Sequence, residues 1–420
     1  MCGSTRSMCS RRPEVREKVV QQVKQTSLSI VQNSISAIRR KNIQKTGCRV
    51  ISGNKIGVAG GLGMVSDNEL FARAENSLEY GVEYPVALSS EQQLHDRLDN
   101  LAISDGQICE AVERVLGELK RRHPDFAVSN KVNYNNVSFS LENEANLSLS
   151  HNDSYISWSF ALKSSTSTGI MDTFFGVVDR KLEPDRVIEA TSAIIEAYNN
   201  KVELPAGQVP VIIHQSALTR LFQRDLNGKI VGNKASLLQQ KFDQKVFCDN
   251  FSVKIENDPV ETFGPRFDME GAICADDLRW LIKNGVILRP YTDKRTAQRY
   301  GFAHTACGNG AYDGVPSLGG CNMEIEHSGK TLSELLSDGV GILIAIAAGG
   351  DFTPDGNFAT PVQVAYLTDG VKLLGRLPEL TIKGSLFDFF GNDFIGVSSD
   401  KIYLSGNDRM LVTRLAVEKL

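Results

Sequence analysis

The side chains best suited to chemistry lie in the second half of the chain. His304 and Cys307 are three residues apart, and with His214 they offer a mixed imidazole and thiol ligand set. That spacing matches no zinc pattern, so no metal is assigned to this chain. Cys307 is also a candidate nucleophile. It needs a partnered base to become a thiolate, and His304 is the nearest one in sequence. Asp268, Glu270, Asp276 and Asp277 have the look of a carboxylate dyad. Asp268 and Glu270 are read as orienting a loop, and Asp276 and Asp277 as solvated. Gly57, Gly60, Gly61 and Gly63 precede a helix near Ser66, as in a phosphate cradle. No Lys-Ser/Thr follows and no acid stands at nucleotide-binding spacing, so no nucleotide site is assigned. His95 and His123, in polar segments expected to be helical, and His151, at an expected turn, read as surface residues. Tyr155, Trp158 and Phe160 read as sheet packing, because no basic residues interleave them for nucleic acid.

The elements that position these residues divide into two groups. A chain of 420 residues accommodates two or three domains at about 150 residues each. Its net charge of −4 gives no global basic field for nucleic acid. No apolar run reaches the roughly 18 residues of a membrane helix. The longest, Gly339 to Ala348, fits a buried strand. The first eleven residues read as a frayed start without the apolar region of a signal peptide. The eight cysteines form no CxxC pair and read as reduced thiols. Val15, Val19, Val20 and Val23 predict a helix over Pro13 to Gln25. Alternation predicts an antiparallel meander of short strands from Leu28 to Ala59. Helices are expected at Asp67 to Tyr80, Ser104 to Arg122 and Pro184 to Tyr198, with a half-exposed antiparallel sheet over 126–176.

Lys201 to Gln208 is the expected boundary between an N-terminal domain (12–204) and a C-terminal domain (205–420). Beyond it come a strand at Val209 to Ile213, a helix at His214 to Gln223 and a helical stretch at Gly232 to Gln240. Strands then follow, joined by turns such as Asn284-Gly285 and Asp369-Gly370. Thr292 is expected to cap a short helix stopped by Gly301. The fold class is α+β. The first domain has an antiparallel sheet covered by helices, and the second is mainly antiparallel, barrel-like β structure.

The motifs of the second half are Phe267-Asp268-Met269-Glu270-Gly271, Ile282-Lys283-Asn284-Gly285-Val286, Tyr291-Thr292-Asp293-Lys294-Arg295-Thr296-Ala297 and Ala306-Cys307-Gly308-Asn309-Gly310. Further on stand Gly350-Asp351-Phe352, Thr381-Ile382-Lys383-Gly384-Ser385-Leu386 and Gly391-Asn392-Asp393. In this order they resemble the TldD/PmbA family, strongly from about residue 205 onward. The resemblance implies a zinc motif, HExxxH, on the helix beginning at His214 in the TldD branch. Here Gln215 occupies the glutamate position, Leu218 and Thr219 the second-histidine region, and no cysteine follows Asp393. A glutamine cannot take a proton from a metal-bound water. The chain therefore resembles the TldE (PmbA) branch: a cytoplasmic, non-catalytic subunit with no cofactor of its own. Its partner would be a TldD-like HExxxH subunit that carries zinc and cleaves unfolded or modified peptides. The implied substrate-cleft candidates are His304, Thr305, Cys307, Gly308 and Asn309, the last two in a turn expected to need positive φ. Cys307 departs from the family's usual threonine. Two alternatives stay open: a self-sufficient homodimeric enzyme acting on small peptides or amino-acid derivatives in a natural-product pathway, and a peptide-binding scaffold.

Overall fold

The computed structural model describes residues 15–206, 209–337, 339–347, 353, 355–403 and 408–420. The first fourteen residues and Gly350-Asp351-Phe352 lie outside the described residues, as does part of the expected boundary at Lys201 to Gln208.

An eight-stranded sheet is built from β1 (Val15–Val31), β2 (Ser34–Ser52), β3 (Lys55–Leu62), β4 (Val82–Glu83), β5 (Gln92–Leu98), β6 (Phe126–Asn143), β7 (Leu147–Ser164) and β8 (Thr173–Asp179). The strand order is β4-β3-β2-β1-β6-β7-β5, with β8 also pairing β7, and only β5–β7 is parallel. Three helices accompany it: α1 (Asp67–Ser77), α2 (Asp105–Arg122) and α3 (Pro184–Asn199). Ser104 starts α2 with a capping box to Gln107, and Pro184 supplies a pre-set φ at the start of α3.

From Val15 onward, the segment expected to form a helix at Pro13 to Gln25 is instead part of strand β1. Its apolar residues fit a helical spacing because the alternation is broken by a charge. Glu17 sits on the buried face beside Val19 and pairs with Arg49 of β2, Nη1 to Oε1 at 2.9 Å, with both side chains 1% exposed. Pairing with β2 on one side and β6 on the other then satisfies the β1 backbone along most of its length. The glycine-rich segment is likewise strand β3 and not a phosphate turn. Gly60 carries no Cβ because Asp313 packs there, where an added Cβ would meet Asp313 Cβ at 2.3 Å. His95 is an exposed residue of β5, not of a helix, and His123 is the half-buried residue that ends α2.

The second half contains β9 (Val211–His214), α4 (Gln215–Asp225), α5 (Gly228–Gly232), β10 (Val253–Ile255), α6 (Pro259–Thr262), β11 (Trp280–Lys283), β12 (Val286–Ile287) and α7 (Lys294–Tyr300). Then follow β13 (Gly308–Asn309), β14 (Ser317–Leu318), β15 (Met323–Ile325), α8 (Leu332–Leu335), β16 (Gly341–Ala347), β17 (Asn357–Thr368), β18 (Leu373–Arg376), β19 (Leu380–Ser385), α9 (Leu386–Phe389), β20 (Phe394–Ile402), β21 (Asp408–Thr413) and β22 (Ala416–Lys419). The helical stretch expected at Gly232 to Gln240 is absent. Helix α5 ends at Gly232, and Lys234 takes φ +59°, which breaks the helical path.

A second eight-stranded sheet runs β20-β21-β9-β16-β17-β19-β22, with β18 on β17. It is antiparallel apart from β9–β16. The path is open, so the expected barrel-like closure does not occur. The reason lies in the burial of both faces. Ile212, Leu343, Tyr366, Met410 and Val412 point into one apolar core, and Val211, Ile342, Ile344, Ala365 and Leu411 into another. The first of these cores is shared with Leu28, Val128, Trp158 and Phe160 of the N-terminal sheet and with α2 and α3. Covered on both sides by these cores, the central strands β9 and β16 read as near-continuous apolar runs. Two smaller sheets, β12-β11-β10-β15 and β13-β14, lie outside this layer in the hydrogen-bond pattern.

The buried Glu17–Arg49 pair generates a test. Removing one partner strands the other charge, so Glu17→Ala is expected to cost about 3–5 kcal/mol, and the double change Glu17→Leu/Arg49→Met to recover most of it. Urea unfolding of the two variants checks this.

Candidate functional site

The centre of the second half is the loop Phe267–Gly271. Its geometry follows from one carboxylate. Asp268 Oδ1 accepts the backbone N–H groups of Glu270 and Ala272, both at 2.9 Å, and Oδ2 accepts that of Gly308 at 2.7 Å. Gly271 completes the turn at φ +64°, with its Cβ position against Leu147 Cδ2. The loop is then fastened to the N-terminal sheet. Arg49 Nη1 donates to Met269 O at 2.6 Å, Ser89 Oγ to Glu270 O at 2.8 Å, and Tyr84 Oη to Glu270 Oε1 at 2.8 Å. Phe267 and Met269 pack into a small apolar core with Val19, Leu141 and Leu149. Lys294, the first residue of α7, donates its backbone N–H to Glu270 Oε2 at 2.8 Å and its Nζ to Ser89 Oγ and Ala87 O.

These contacts leave several groups away from their ordinary proton affinities. Burial, reinforced by the charge of Glu270, pushes Asp268 up to about 6 against the pull of its three N–H donors. Burial also opposes ionisation of Glu270. The neighbouring His304 imidazole, the Lys294 N–H, Tyr84 and the Lys294 charge outweigh it and hold the carboxyl below its usual range. Burial lowers the affinity of Lys294, opposed by Glu270 and Asp268. His304 Nε2 stands 3.7 Å from Glu270 Oε2, is buried, and has no hydrogen-bond partner.

Beside the loop opens a cavity of about 460 Å³ between β1, β6 and β7 on one side and residues 255–257, 263–269, 306–310 and 320–322 on the other. Asp268, Cys307, Gly308 and Asn309 line it. Thr305 does not, since it is fully buried and exchanges hydrogen bonds with Thr292 through both their side chains. That use of Thr292 explains why Asp293, not Thr292, caps α7, accepting from Thr296 N at 2.8 Å. Gly308-Asn309 is the short strand β13. The positive φ values belong to Ala306 at 52°, two residues before Gly308, and to Gly310 at 156°, directly after Asn309, so the expected strained Gly-Asn turn does not fall on Gly308 or Asn309. Gly308 is required for a different reason: a Cβ there would stand 2.6 Å from Glu270 Cγ and 2.9 Å from Asp268 Oδ2.

Cys307 contacts Thr305, and burial, followed by the neighbouring thiol of Cys321, raises its pKa well above the ordinary value. His304 faces Glu270 instead, so the pair needed for a thiolate nucleophile does not form. His214 is elsewhere, at the start of α4, with Nδ1 3.9 Å from Asp408 Oδ2. Among the described residues, His214, His304 and Cys307 do not converge as ligands, whereas Asp268, Glu270 and His304 do. His151, expected at a surface turn, is 2% exposed within β7 and lines the cavity. Asp276 and Asp277 are exposed, as read from the sequence.

The model of the PmbA/TldA metallopeptidase C-terminal domain matches residues 206–417. The chain belongs to the PmbA/TldD family. Among solved structures it resembles TldE from Thermococcus kodakarensis, at 17% identity and TM-score 0.79, covering 97% of both chains. It also resembles two proteins named for modulation of DNA gyrase. The one from Thermotoga maritima gives 16% identity, TM-score 0.75 and 96% of both chains. The one from Bacteroides thetaiotaomicron gives 16% identity, TM-score 0.73, 97% of this chain and 95% of that one. At these identities the likeness is one of fold. No curated protein matches the sequence.

The family description implies a metal, and α4 does not fit one. Gln215 is buried with its Oε1 accepting from Ile325 N at 3.2 Å, Leu218 belongs to the apolar core, and none of the six histidines of the chain precedes a glutamate. These side chains hold α4 against β15 and offer no imidazole pair. His214→Ala is accordingly expected to leave the metal content of the purified chain unchanged by elemental analysis. Gly308→Ala is expected to cost about 1–3 kcal/mol by overpacking and Gly308→Val more, and thermal melting of both variants checks this.

Proposed function

We propose that this chain is the TldE-like, non-catalytic subunit of a cytoplasmic peptidase whose zinc sits in a TldD-like HExxxH partner. The observation that carries the proposal is the use of α4. At the position where the resemblance implies the zinc helix, Gln215 and Leu218 are committed to packing and backbone hydrogen bonding. A chain that keeps the family's architecture without those ligands can serve hydrolysis by shaping a cleft, and the cavity beside Asp268 and Gly308-Asn309 is the surface offered for it. Its volume suits a short peptide segment or one side chain with its flanking amides. Domains meeting at 205, as the sequence suggests, would place this cavity where the two halves join. Among the described residues no helix is long and apolar enough to cross a membrane. A stable complex of this kind typically buries upwards of about 2,000 Å².

The test mixes this chain with a TldD-like subunit. The two are expected to co-purify, and an unfolded peptide is expected to be cleaved only by the mixture. Cleavage should survive His214→Ala and Cys307→Ala here, and vanish when the partner's HExxxH glutamate is changed. Turnover by this chain alone would instead establish the self-sufficient homodimeric enzyme. Peptide binding without association or turnover would establish the scaffold.

A further inference from the structure

We propose that Asp268, Glu270 and His304 hold one divalent transition-metal ion, at a position distinct from the α4 helix. One donor atom from each of the three lies within 4.8 Å of the other two. Bonds of about 2.0–2.2 Å to a common ion set three donors about 3.0–3.6 Å apart, so a rearrangement of at most about 1–2 Å closes the set. His304 has that freedom, with its side chain 31% exposed, while Glu270 is fully buried.

Two further observations point to a cation. The first is His304 Nε2, a buried imidazole nitrogen with no hydrogen-bond partner that faces Glu270 Oε2 at 3.7 Å. A buried polar atom left unsatisfied is costly, and a metal bond satisfies it. The second is the architecture around the carboxylates. Tyr84 and the Lys294 N–H orient Glu270, and three backbone N–H groups orient Asp268, as outer partners orient the ligands of metal sites. Asp268 Oδ2 and Glu270 Oε2 each accept one of these bonds, which leaves a lone pair on each oxygen. The absence of a Cβ at Gly308 lets the two acids approach each other and the 306–310 segment. Two like charges brought together under cover repel, and a divalent ion between them removes that repulsion. A ligand set of two carboxylates and one imidazole suits Fe²⁺ or Zn²⁺, and Mn²⁺ through its carboxylates, better than Mg²⁺ or Ca²⁺, which take all-oxygen sets.

The test uses the full chain alone, purified without a histidine tag and stripped with chelator, so it is independent of any partner or cleavage. Calorimetric titration with Mn²⁺ and Zn²⁺ is expected to saturate at one ion per chain and to raise the melting temperature. His304→Ala, a change at a partly exposed side chain, is expected to stay folded by circular dichroism. It should weaken binding at least about tenfold, since even an outer partner of a metal ligand is worth that much. Asp268→Asn should act in the same direction, and His214→Ala should bind as the parent does. No saturable binding by the parent, or parent-like binding by His304→Ala, would overturn the site. Saturation by Mg²⁺ at the concentration that suffices for Mn²⁺ would overturn the transition-metal assignment.

Discussion

The structure depends on placing a guanidinium inside a sheet. Arg49 is 1% exposed, and a charge at that depth must be matched or the strands around it separate. Glu17 on the adjacent strand neutralises it, and the carbonyl of Met269 takes a second hydrogen bond from the same nitrogen. That second bond reaches across more than two hundred residues of sequence to the acidic loop. The ion pair thus joins the N-terminal sheet to the segment that shapes the cavity. Tyr84, Ser89 and Lys294 add further bonds along the same seam. Each links a residue of the N-terminal half to the loop, or to the helix that follows it.

The loop in turn is organised from within by Asp268. A carboxylate that accepts three backbone N–H groups fixes the path of 268–272 and of Gly308 together. The chain accepts an unfavourable charge environment there, visible in the raised affinity of Asp268 for a proton. Such tension between neighbouring buried acids concentrates at functional sites, although structural networks also produce it. Here it coincides with a cavity wall and with an unpartnered histidine nitrogen, and that coincidence, not the acidity alone, marks the place.

The second sheet explains how one chain sustains both halves. Its strands send alternate residues into two cores, one of them continuous with the interior of the N-terminal sheet. The buried hydrogen bond between Thr173 Oγ1 and Tyr366 Oη, 2.8 Å long, lies within this shared layer. The halves are therefore joined twice, by apolar packing here and by polar contacts at the acidic loop.

Local chemistry by itself determined many of the elements. The Asn284-Gly285 hairpin forms because both residues accept positive φ, at 50° and 77°. Helix α2 starts where Ser104 and Gln107 can cap each other, and α3 where Pro184 presets the chain. The motif order of the second half was enough to suggest the family. What the sequence left open depended on partners distant along the chain. Strand β1 reads as a helix until Arg49 is seen to compensate Glu17, because a buried charge hides the alternation that marks a strand. Gly308 reads as a turn glycine until two carboxylates are found where its Cβ would be. His304 reads as a companion of Cys307, three residues away. The left-handed turn of the backbone at Ala306, φ 52°, lies between them, and one side chain faces Glu270 while the other faces Thr305 and Cys321. Periodicity and turn chemistry act over a few residues, so they can be read in order. The pairing of buried charges is settled only when distant strands meet.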